Sequence, residues 1–254
     1  MKDVKIEIKK NNPMLGIFIS WPSPQLVEIS AANGFDFVII DGEHGTIGPN
    51  GAIENMIMAA YASGIYPIVR VPNLIGSSIL QPLDMGAKGI HAPLVNTKED
   101  AIKVIESSKY PPMGKRGYAG VTRAGSYGFY SEERRIFLDK KNKETLIIVS
   151  IETKESVSNL DEILSVPGID AVFIGPNDLS MSLGYPGEMD NPVVVNTIKK
   201  IIKKTLKAGV QIGTLAINPQ QAKECISRGA TYLPVGGIPQ INEGLQFMVK
   251  GIKG

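Results

Sequence analysis

The chain has 254 residues, of which 43% are hydrophobic, and its 27 Lys and Arg residues nearly balance 25 Asp and Glu residues to give a formal net charge of +2. This small charge and an aromatic content of 6% argue against a nucleic-acid-binding protein. A chain of about 250 residues is long enough for a single α/β barrel, and its core needs no disulfide or structural metal.

The cysteine content and the apolar segments indicate the cellular compartment in which the protein is expected. Cys225 has no partner for an internal disulfide, and we expect it to be a packing residue of a helix. The amino terminus MKDVKIEIKK lacks the apolar core of a signal peptide, and no apolar run approaches the ~20 residues that span a bilayer. We therefore expect a cytoplasmic protein without a membrane partner.

Eight short β-branched segments recur along the chain and alternate with amphipathic segments. The predicted strands are Leu15–Ser20, Asp36–Asp41, Tyr66–Val71, Gly89–Pro93, Leu146–Ile151, Ala171–Gly175, Val210–Thr214 and Thr231–Val235. Several are apolar without alternation, as parallel strands buried on both faces are. This order predicts one (β/α)8 TIM barrel domain over residues 1–254. A doubly wound sheet is the competing fold, but WPSPQ follows the first strand instead of GxGxxG.

Three of the amphipathic segments show a clear apolar face. The predicted inward residues are Ile53, Met56, Ile57 and Ala60 in one, Val157, Leu160, Ile163 and Leu164 in another, and Val194, Ile198, Ile201, Ile202 and Leu206 in the helix from Asn191. The last helix turns a run of lysines outward, which we interpret as a solvated face.

The segment from Tyr110 to Glu144 does not fit a compact βα unit. Ser131 followed by two glutamates predicts a helix start there. The preceding Gly- and Tyr-rich stretch carries Arg116 and Arg123, and loops of this length tend to be functional or to contact another subunit.

Polar side chains follow four of the predicted strands. Asp41–His44 ends the second strand, Arg70 lies at the end of the third, Glu152 follows the fifth, and Gly175–Asp178 follows the sixth. Because the carboxyl ends of the strands meet on one face of a barrel, these groups are expected to converge.

This combination favours a site for a hard divalent cation that forms an enolate. Two carboxylates without cysteine suit Mg²⁺ or Mn²⁺, whereas zinc prefers three or four ligands and the chain has only His44 and His91 as histidines. We expect His91 to lie in the barrel interior. A cation polarising a carbonyl, Arg70 holding the oxyanion and His44 moving a proton complete the chemistry, with Asp41 expected to orient the imidazole. A Schiff base is disfavoured because the nearest lysine, Lys154, opens a helix.

Several motifs resemble one known family. They are GFDFVIIDGEHG, PIVRVP, LDMGAKGI, YPPMGKRG with RAGSYG, SIETKES and GIDAVFIGPNDLSMSLGYPG, in this order from about Gly16 to Gly237. Together they resemble the HpcH/HpaI aldolases, which include 4-hydroxy-2-oxoheptane-1,7-dioate aldolase and 2-dehydro-3-deoxyglucarate aldolase. The resemblance implies a class II, metal-dependent aldolase that reversibly cleaves a 4-hydroxy-2-oxo acid to pyruvate and an aldehyde.

The resemblance also implies roles for individual residues. Glu152 and Asp178 would hold Mg²⁺, Mn²⁺ or Co²⁺, Arg70 would contact the pyruvate oxygen, and His44 would act in acid–base chemistry with Asp41. Asp84 would reach the site from a neighbouring subunit, and backbone N–H groups around Pro176, Asn177 and Asp178 would hold the pyruvate carboxylate. Homo-oligomers are implied, typically hexamers built from three dimers that exchange the last helix, here Ile241–Val249.

One position departs from the family pattern. Ser150 stands two residues before Glu152, where family members commonly carry a glutamine that helps to bind pyruvate. Either a water replaces the amide or the 2-oxo acid is larger than pyruvate. The aldehyde is expected to contact Trp21, Thr214–Leu215 and the segment Tyr118–Tyr130.

Three other functions remain open from the sequence. The same site would serve an oxaloacetate decarboxylase or a citrate-lyase-type enzyme that cleaves C–C bonds, although no dedicated basic cluster for coenzyme A is visible beyond Arg116 and Arg123. A barrel that binds 2-oxo acids without catalysis is the third, and only Ser150 points towards it.

Overall fold

Eight parallel strands close into a barrel in the order of the sequence. The computed structural model describes residues 1–48, 51–129 and 133–254. The strands are β1 (Met14–Ile19), β2 (Phe37–Asp41), β3 (Tyr66–Arg70), β4 (Gly89–Ala92), β5 (Leu146–Ile151), β6 (Ala171–Ile174), β7 (Gln211–Thr214) and β8 (Ala230–Gly236). The predicted TIM barrel is confirmed, and each strand end lies within one residue of its predicted position.

Helices follow the strands and surround the barrel. The α-helices of the described residues are α1 (Val4–Lys9), α2 (Pro24–Ala32), α3 (Gly51–Ser63), α4 (Gly76–Asp84), α5 (Lys98–Ser108), α6 (Arg134–Glu144), α7 (Lys154–Ser158), α8 (Leu160–Leu164), α9 (Pro176–Ser182), α10 (Pro192–Lys207), α11 (Pro219–Ser227) and α12 (Gly237–Lys253). Within the described ranges, no helix combines the length and the apolar character that crossing a membrane requires.

The apolar core has two layers, one inside the barrel and one between the strands and the helices. The interior cluster consists of side chains that point to the barrel axis, among them Phe18, Phe37, Ile39, Tyr66, Ile68, Ile148, Phe173 and Tyr232. The outer layer includes Ile53, Met56, Ile57 and Ala60 of α3, which are all buried as predicted. Because both faces of the strands are covered, alternation is absent from their sequences.

Two sequence predictions about helices need correction. Leu206, predicted to face inward, is 42% exposed because it lies in the last turn of α10, while Val194 and Ile201 of the same helix are fully buried. The helix predicted to start at Ser131 begins at Arg134, and Ser131 itself lies outside the described residues. The stretch before it contains one short 3-10 turn, Ser126–Gly128.

The two ends of the barrel differ in how they are closed. At the amino ends of the strands, α1 covers the barrel, and its Val4 and Ile8 are fully buried in the interior cluster. The carboxyl ends of the strands form the mouth, where the loops carry the polar residues predicted from the sequence. The last helix, α12, extends from the barrel with only Gly237 buried.

Candidate active site

Asp41 and Arg70 meet at the mouth because they are register partners on β2 and β3. Arg70 Nε donates to Asp41 Oδ1 over 2.8 Å, and Arg70 Nη2 donates to Oδ2 over 2.7 Å. The Ser20 hydroxyl donates to the same carboxylate over 3.1 Å. Burial alone would raise the pKa of Asp41, but the hydrogen bonds and the charge of Arg70 lower it. The bidentate pair therefore fixes the guanidinium in one orientation.

The expected contact between Asp41 and the His44 imidazole does not form. Asp41 Oδ1 instead accepts from the backbone amides of Glu43 and His44, over 3.1 and 3.2 Å, and both carboxylate oxygens accept from Arg70. The imidazole, with a side chain 63% exposed, has its Nε2 3.7 Å from Glu43 Oε2. Arg70 Nη1 lies 3.2 Å from that same oxygen. Glu43, which the sequence analysis did not single out, thus stands between the arginine and the histidine.

Glu152 is a buried carboxylate with one backbone partner. Its side chain follows β5 into the mouth, and its Oε1 accepts from the Leu94 amide over 2.7 Å. Leu94 has a φ of 51°, a left-handed conformation that aims this amide at the carboxylate. Burial raises the pKa of Glu152 to about 7, and the negative charges of Glu43 and Asp178 add to the rise.

Gly175 and Asp178 complete the mouth on the β6 side. A Cβ at Gly175 would lie 2.6 Å from Glu152 Oε2, so the glycine leaves room for the carboxylate. Pro176, Asn177 and Asp178 open α9, and Asp178 is exposed to solvent. Its charge raises the pKa of both Glu43 and Glu152, so these carboxylates are close enough to repel one another.

The donor set fits a hard divalent cation. The Arg70 charge is shared between Asp41 and Glu43, which leaves Glu152 and Asp178 as carboxylates without a basic side chain against them among the described contacts. No three metal-ligating side chains converge anywhere in the described ranges. Two carboxylate ligands would leave the remaining positions of a cation to water and to a chelating substrate.

Ser150 lies one layer below the mouth. Ser150 lies on β5, two residues before Glu152, which follows the strand, so both side chains point to the barrel interior. Its Oγ is 3.0 Å from Nε2 of His91, which is fully buried in the barrel interior as predicted. Two strands further round the barrel, Leu215 follows β7 and packs partly buried against the interior cluster.

Asp84 does not reach the mouth of its own chain. It ends α4, a helix that returns from the mouth towards the amino ends of the strands, and Arg116 Nη2 donates to its Oδ1 over 2.7 Å. The Arg116 side chain is only 3% exposed and is paired with this acid. It is therefore not presented to a diphosphate, which weakens the coenzyme A alternative.

The comparisons with known proteins agree on one family. Residues 14–237 match the family model described as HpcH/HpaI aldolase/citrate lyase. A 2-keto-3-deoxy-L-rhamnonate aldolase of Klebsiella pneumoniae is 38% identical over 233 residues, which cover 89% of this chain and 84% of that protein.

Two solved structures extend this agreement to the fold. The crystal structure of an HpcH/HpaI aldolase/citrate lyase family protein from Burkholderia cenocepacia superposes with a TM-score of 0.93 at 26% identity and covers all of both chains. An HpcH/HpaI aldolase from Desulfitobacterium hafniense gives a TM-score of 0.91 at 28% identity, covering 98% of this chain and 96% of that one.

Proposed function

Because the chain belongs to the HpcH/HpaI aldolase/citrate lyase family and is thereby a carbon–carbon lyase, we propose that its mouth cleaves a 4-hydroxy-2-oxo acid into pyruvate and an aldehyde. The observation that carries this proposal is an oriented arginine beside two carboxylates, Glu152 and Asp178, that form no ion pair with a basic side chain of the described residues. An aldol cleavage needs both, because negative charge develops on the oxygen at C2 while a cation offsets it.

Glu152 and Asp178 are the residues that would hold the cation. Their oxygens suit Mg²⁺, Mn²⁺ or Co²⁺, and the buried Glu152 carboxylate gains most from a positive charge beside it. A divalent cation bound there supplies positive charge to the C2 carbonyl oxygen of a chelating 2-oxo acid.

Arg70 is proposed to stabilise the C2 oxygen as the C3–C4 bond breaks. Its Nε and Nη2 donate to Asp41, so Nη1 is the guanidinium nitrogen turned towards Glu43 and the open part of the mouth. Asp41, with Ser20 behind it, keeps the guanidinium in place and avoids reorientation during the reaction.

His44 is proposed to move the proton. In cleavage its imidazole takes the proton of the C4 hydroxyl, the C3–C4 electron pair passes to the C2 oxygen, and the aldehyde leaves. Protonation at C3 then gives the methyl group of pyruvate. Glu43, whose Oε2 lies 3.7 Å from Nε2 of the imidazole, is proposed to take the orienting role predicted for Asp41.

Other groups around the mouth are proposed to bind and orient the 2-oxo acid. The backbone amides of Asn177 and Asp178, after Pro176, are proposed to bind its carboxylate, and Ser150 and Leu215 are proposed to contact it from below and from the β7 side. The 2-oxo acid and the aldehyde are the partners that we propose for this site.

We further propose that the protein forms homo-oligomers by exchanging α12. Apolar residues of this helix are open to solvent, with Leu245 62% and Phe247 77% exposed. A groove of about 400 Å³ runs along β1, β8 and α11, and its walls are mostly apolar; they include Met14, Leu233, Val235, Ala222 and Ile226. The apolar side chains of a second copy's α12 are proposed to pack on the apolar walls of this groove. We propose that Asp84 contributes to a neighbouring mouth in this assembly.

Light scattering tests the assembly. Phe247→Asp is expected to shift the mass of the particle to that of one chain, whereas the matched change at an exposed lysine of α10, Lys207→Asp, leaves the mass unaltered. A single-chain mass for the unaltered protein would contradict the exchange.

Proton exchange tests the proposed reaction without knowledge of the aldehyde. Pyruvate in D₂O is expected to lose its methyl proton signal when the protein and Mg²⁺ are both present, and to keep it when either is omitted. A signal that persists with Mg²⁺, Mn²⁺ and Co²⁺ alike, the paramagnetic samples being quenched with chelator, would contradict the proposal.

A further inference from the structure

A polar pair lies among aromatic rings directly beneath the mouth. His91 Nε2 and Ser150 Oγ are 3.0 Å apart, and both side chains are at most 1% exposed. The imidazole packs against Phe173 at 4.7 Å, Phe18 at 5.9 Å and Tyr232 at 6.2 Å between ring centroids. We name His91, Ser150, Phe18, Phe173 and Tyr232 the floor layer.

The floor layer contacts the machinery of the mouth on two sides. The Arg70 guanidinium carbon lies 4.7 Å above the Phe18 ring, and Arg70 and His91 are register partners on β3 and β4. Ser150 lies on the inward face of β5, two residues before Glu152, which directly follows the strand. The Ser150 hydroxyl is thus placed below the space between the arginine and the proposed metal ligand.

His91 is poorly explained as a packing residue. Its Nδ1 is buried without a hydrogen-bond partner in the described structure, and so is the hydroxyl of Tyr232. A buried polar atom without a partner destabilises a fold, and a leucine would fill this aromatic surrounding without that cost. Burial, together with the charge of Arg70, lowers the pKa of His91 to about 3, so the ring is neutral at physiological pH and does not serve as an acid or base there.

Resting on the proposed function, we propose that His91 is a positioning residue that orients the Ser150 hydroxyl towards the bound 2-oxo acid. The neutral ring offers one donor and one acceptor, and its Nε2 faces only Ser150 among the hydrogen bonds of the described chain. Ser150 would contact the substrate, and His91 would act through Ser150. The pair is the polar part of an otherwise aromatic floor.

Four variants separate this role from packing. His91→Leu removes the polar atoms, His91→Gln restores an amide nitrogen near the position of Nε2, and Ser150→Ala removes the hydroxyl. Ile148→Ala, in the same interior cluster and the register partner of His91, is the control for a loss of stability alone. Each is assayed for metal-dependent exchange of the pyruvate methyl protons, for pyruvate binding by calorimetry with Mg²⁺ present, and for Tm.

The expected result is a rise in KM and in Kd for pyruvate of about tenfold in His91→Leu and Ser150→Ala, the loss expected from one hydrogen bond. The rate at saturation should change less than KM, and His91→Gln should recover most of the affinity. The double variant His91→Leu/Ser150→Ala should be no weaker a binder than either single one, because the two residues act as one unit. Ile148→Ala should lower Tm without this rise in KM.

Other outcomes overturn the inference. Unchanged KM and Kd in His91→Leu, or a loss that His91→Gln does not relieve, would assign His91 to packing. If the unaltered protein exchanges pyruvate methyl protons while KM and Kd stay unchanged in His91→Leu, the proposed function stands and only the role of His91 is wrong. If the unaltered protein does not exchange pyruvate protons but His91→Leu binds pyruvate more weakly, the proposed reaction would be wrong and the role of His91 would stand. Absence of pyruvate binding by the unaltered protein would overturn both.

Discussion

The two ends of the barrel have charge imbalances of opposite sign, and different groups offset them. At the amino end, Lys5, Lys9 and Lys109 surround the single carboxylate of Asp170. Lys109 Nζ donates to the carbonyls of Asn142 and Thr145 over 2.7 Å each. Lys5 Nζ shares the Thr145 carbonyl and lies 2.9 Å from Asp170 Oδ2. Backbone carbonyls of the same chain therefore satisfy the excess of cations.

At the mouth the imbalance is reversed, because carboxylates outnumber basic side chains among the described residues. Glu43, Glu152 and Asp178 outnumber the one guanidinium of Arg70, which already binds Asp41. Among the described residues, Glu152 accepts from one backbone amide, that of Leu94. Contacts within the chain therefore neutralise the amino end, whereas the excess of carboxylates at the mouth agrees with the cation that we propose to bind there.

Removal of the buried carboxylate should have the largest effect on activity. Glu152→Gln keeps the shape of the side chain but removes the charge that would hold the cation. We expect metal-dependent exchange of pyruvate protons to fall by about 10³-fold or more. Glu155→Gln, an exposed glutamate of α7 that changes the net charge equally, should retain the rate. Equal rates in the two variants would contradict the distinction between mouth and surface.

Loss of the bidentate arginine should have the next largest effect. Arg70→Lys keeps a positive charge but not the planar fork that matches Asp41. We expect the exchange rate to fall by about 10²-fold while the affinity for Mg²⁺ changes little, because the cation contacts other residues. An exchange rate close to that of the unaltered protein would mean that charge alone suffices at this position.

Filling the space beside Glu152 should have a smaller effect. The Cβ of Gly175→Ala would lie 2.6 Å from Glu152 Oε2, so the carboxylate must move while the fold persists. We expect about a tenfold slower exchange with an unchanged Tm. Gly51→Ala, where a Cβ meets nothing within 4 Å, is the matched control. Full activity in Gly175→Ala would show that the position of this carboxylate is not critical.

Lys109 at the amino end should make the free energy of unfolding depend on pH. Burial and the neighbouring Lys5 lower the pKa of Lys109 from 10.5 to about 7. Between these values the unfolded chain carries a proton that the folded chain lacks, so the free energy of unfolding should rise with pH by at most ~1.4 kcal/mol per pH unit. Below about pH 7 both states are protonated, and this contribution is constant.

Denaturant unfolding from pH 7 to 9 checks this slope. Lys109→Met should remove the part of the rise that comes from Lys109, whereas Lys207→Met, an exposed lysine of α10, should leave it. The same slope in both variants would show that the buried lysine keeps its proton through this range.

The sequence predicted the barrel and its mouth better than the contacts within the mouth. Parallel strands covered on both faces are continuous apolar runs, so their positions could be read to within one residue. The convergence of Asp41, Arg70, Glu152 and Asp178 follows from their places at strand ends.

The contacts of the mouth that the sequence did not predict depend on strand register and on a left-handed backbone conformation. Asp41 faces Arg70 because the two are register partners, a relation that its nearness to His44 in the chain obscures. The amide of Leu94 donates to Glu152 because Leu94 has a left-handed backbone conformation, which is not expected of a leucine. The contact between His91 and Ser150 depends on the register of β4 and β5, which the fold shows and the sequence does not.

Calorimetric titration of the unaltered protein with Mg²⁺ and Mn²⁺ tests most directly whether the mouth is a cation site. One ion should bind per chain, and Glu152→Gln and Asp178→Asn should each abolish most of the affinity, whereas Glu155→Gln should not. Pyruvate should strengthen the binding, since it would supply further ligands. No binding in the unaltered protein, or equal binding in all four proteins, would contradict the account.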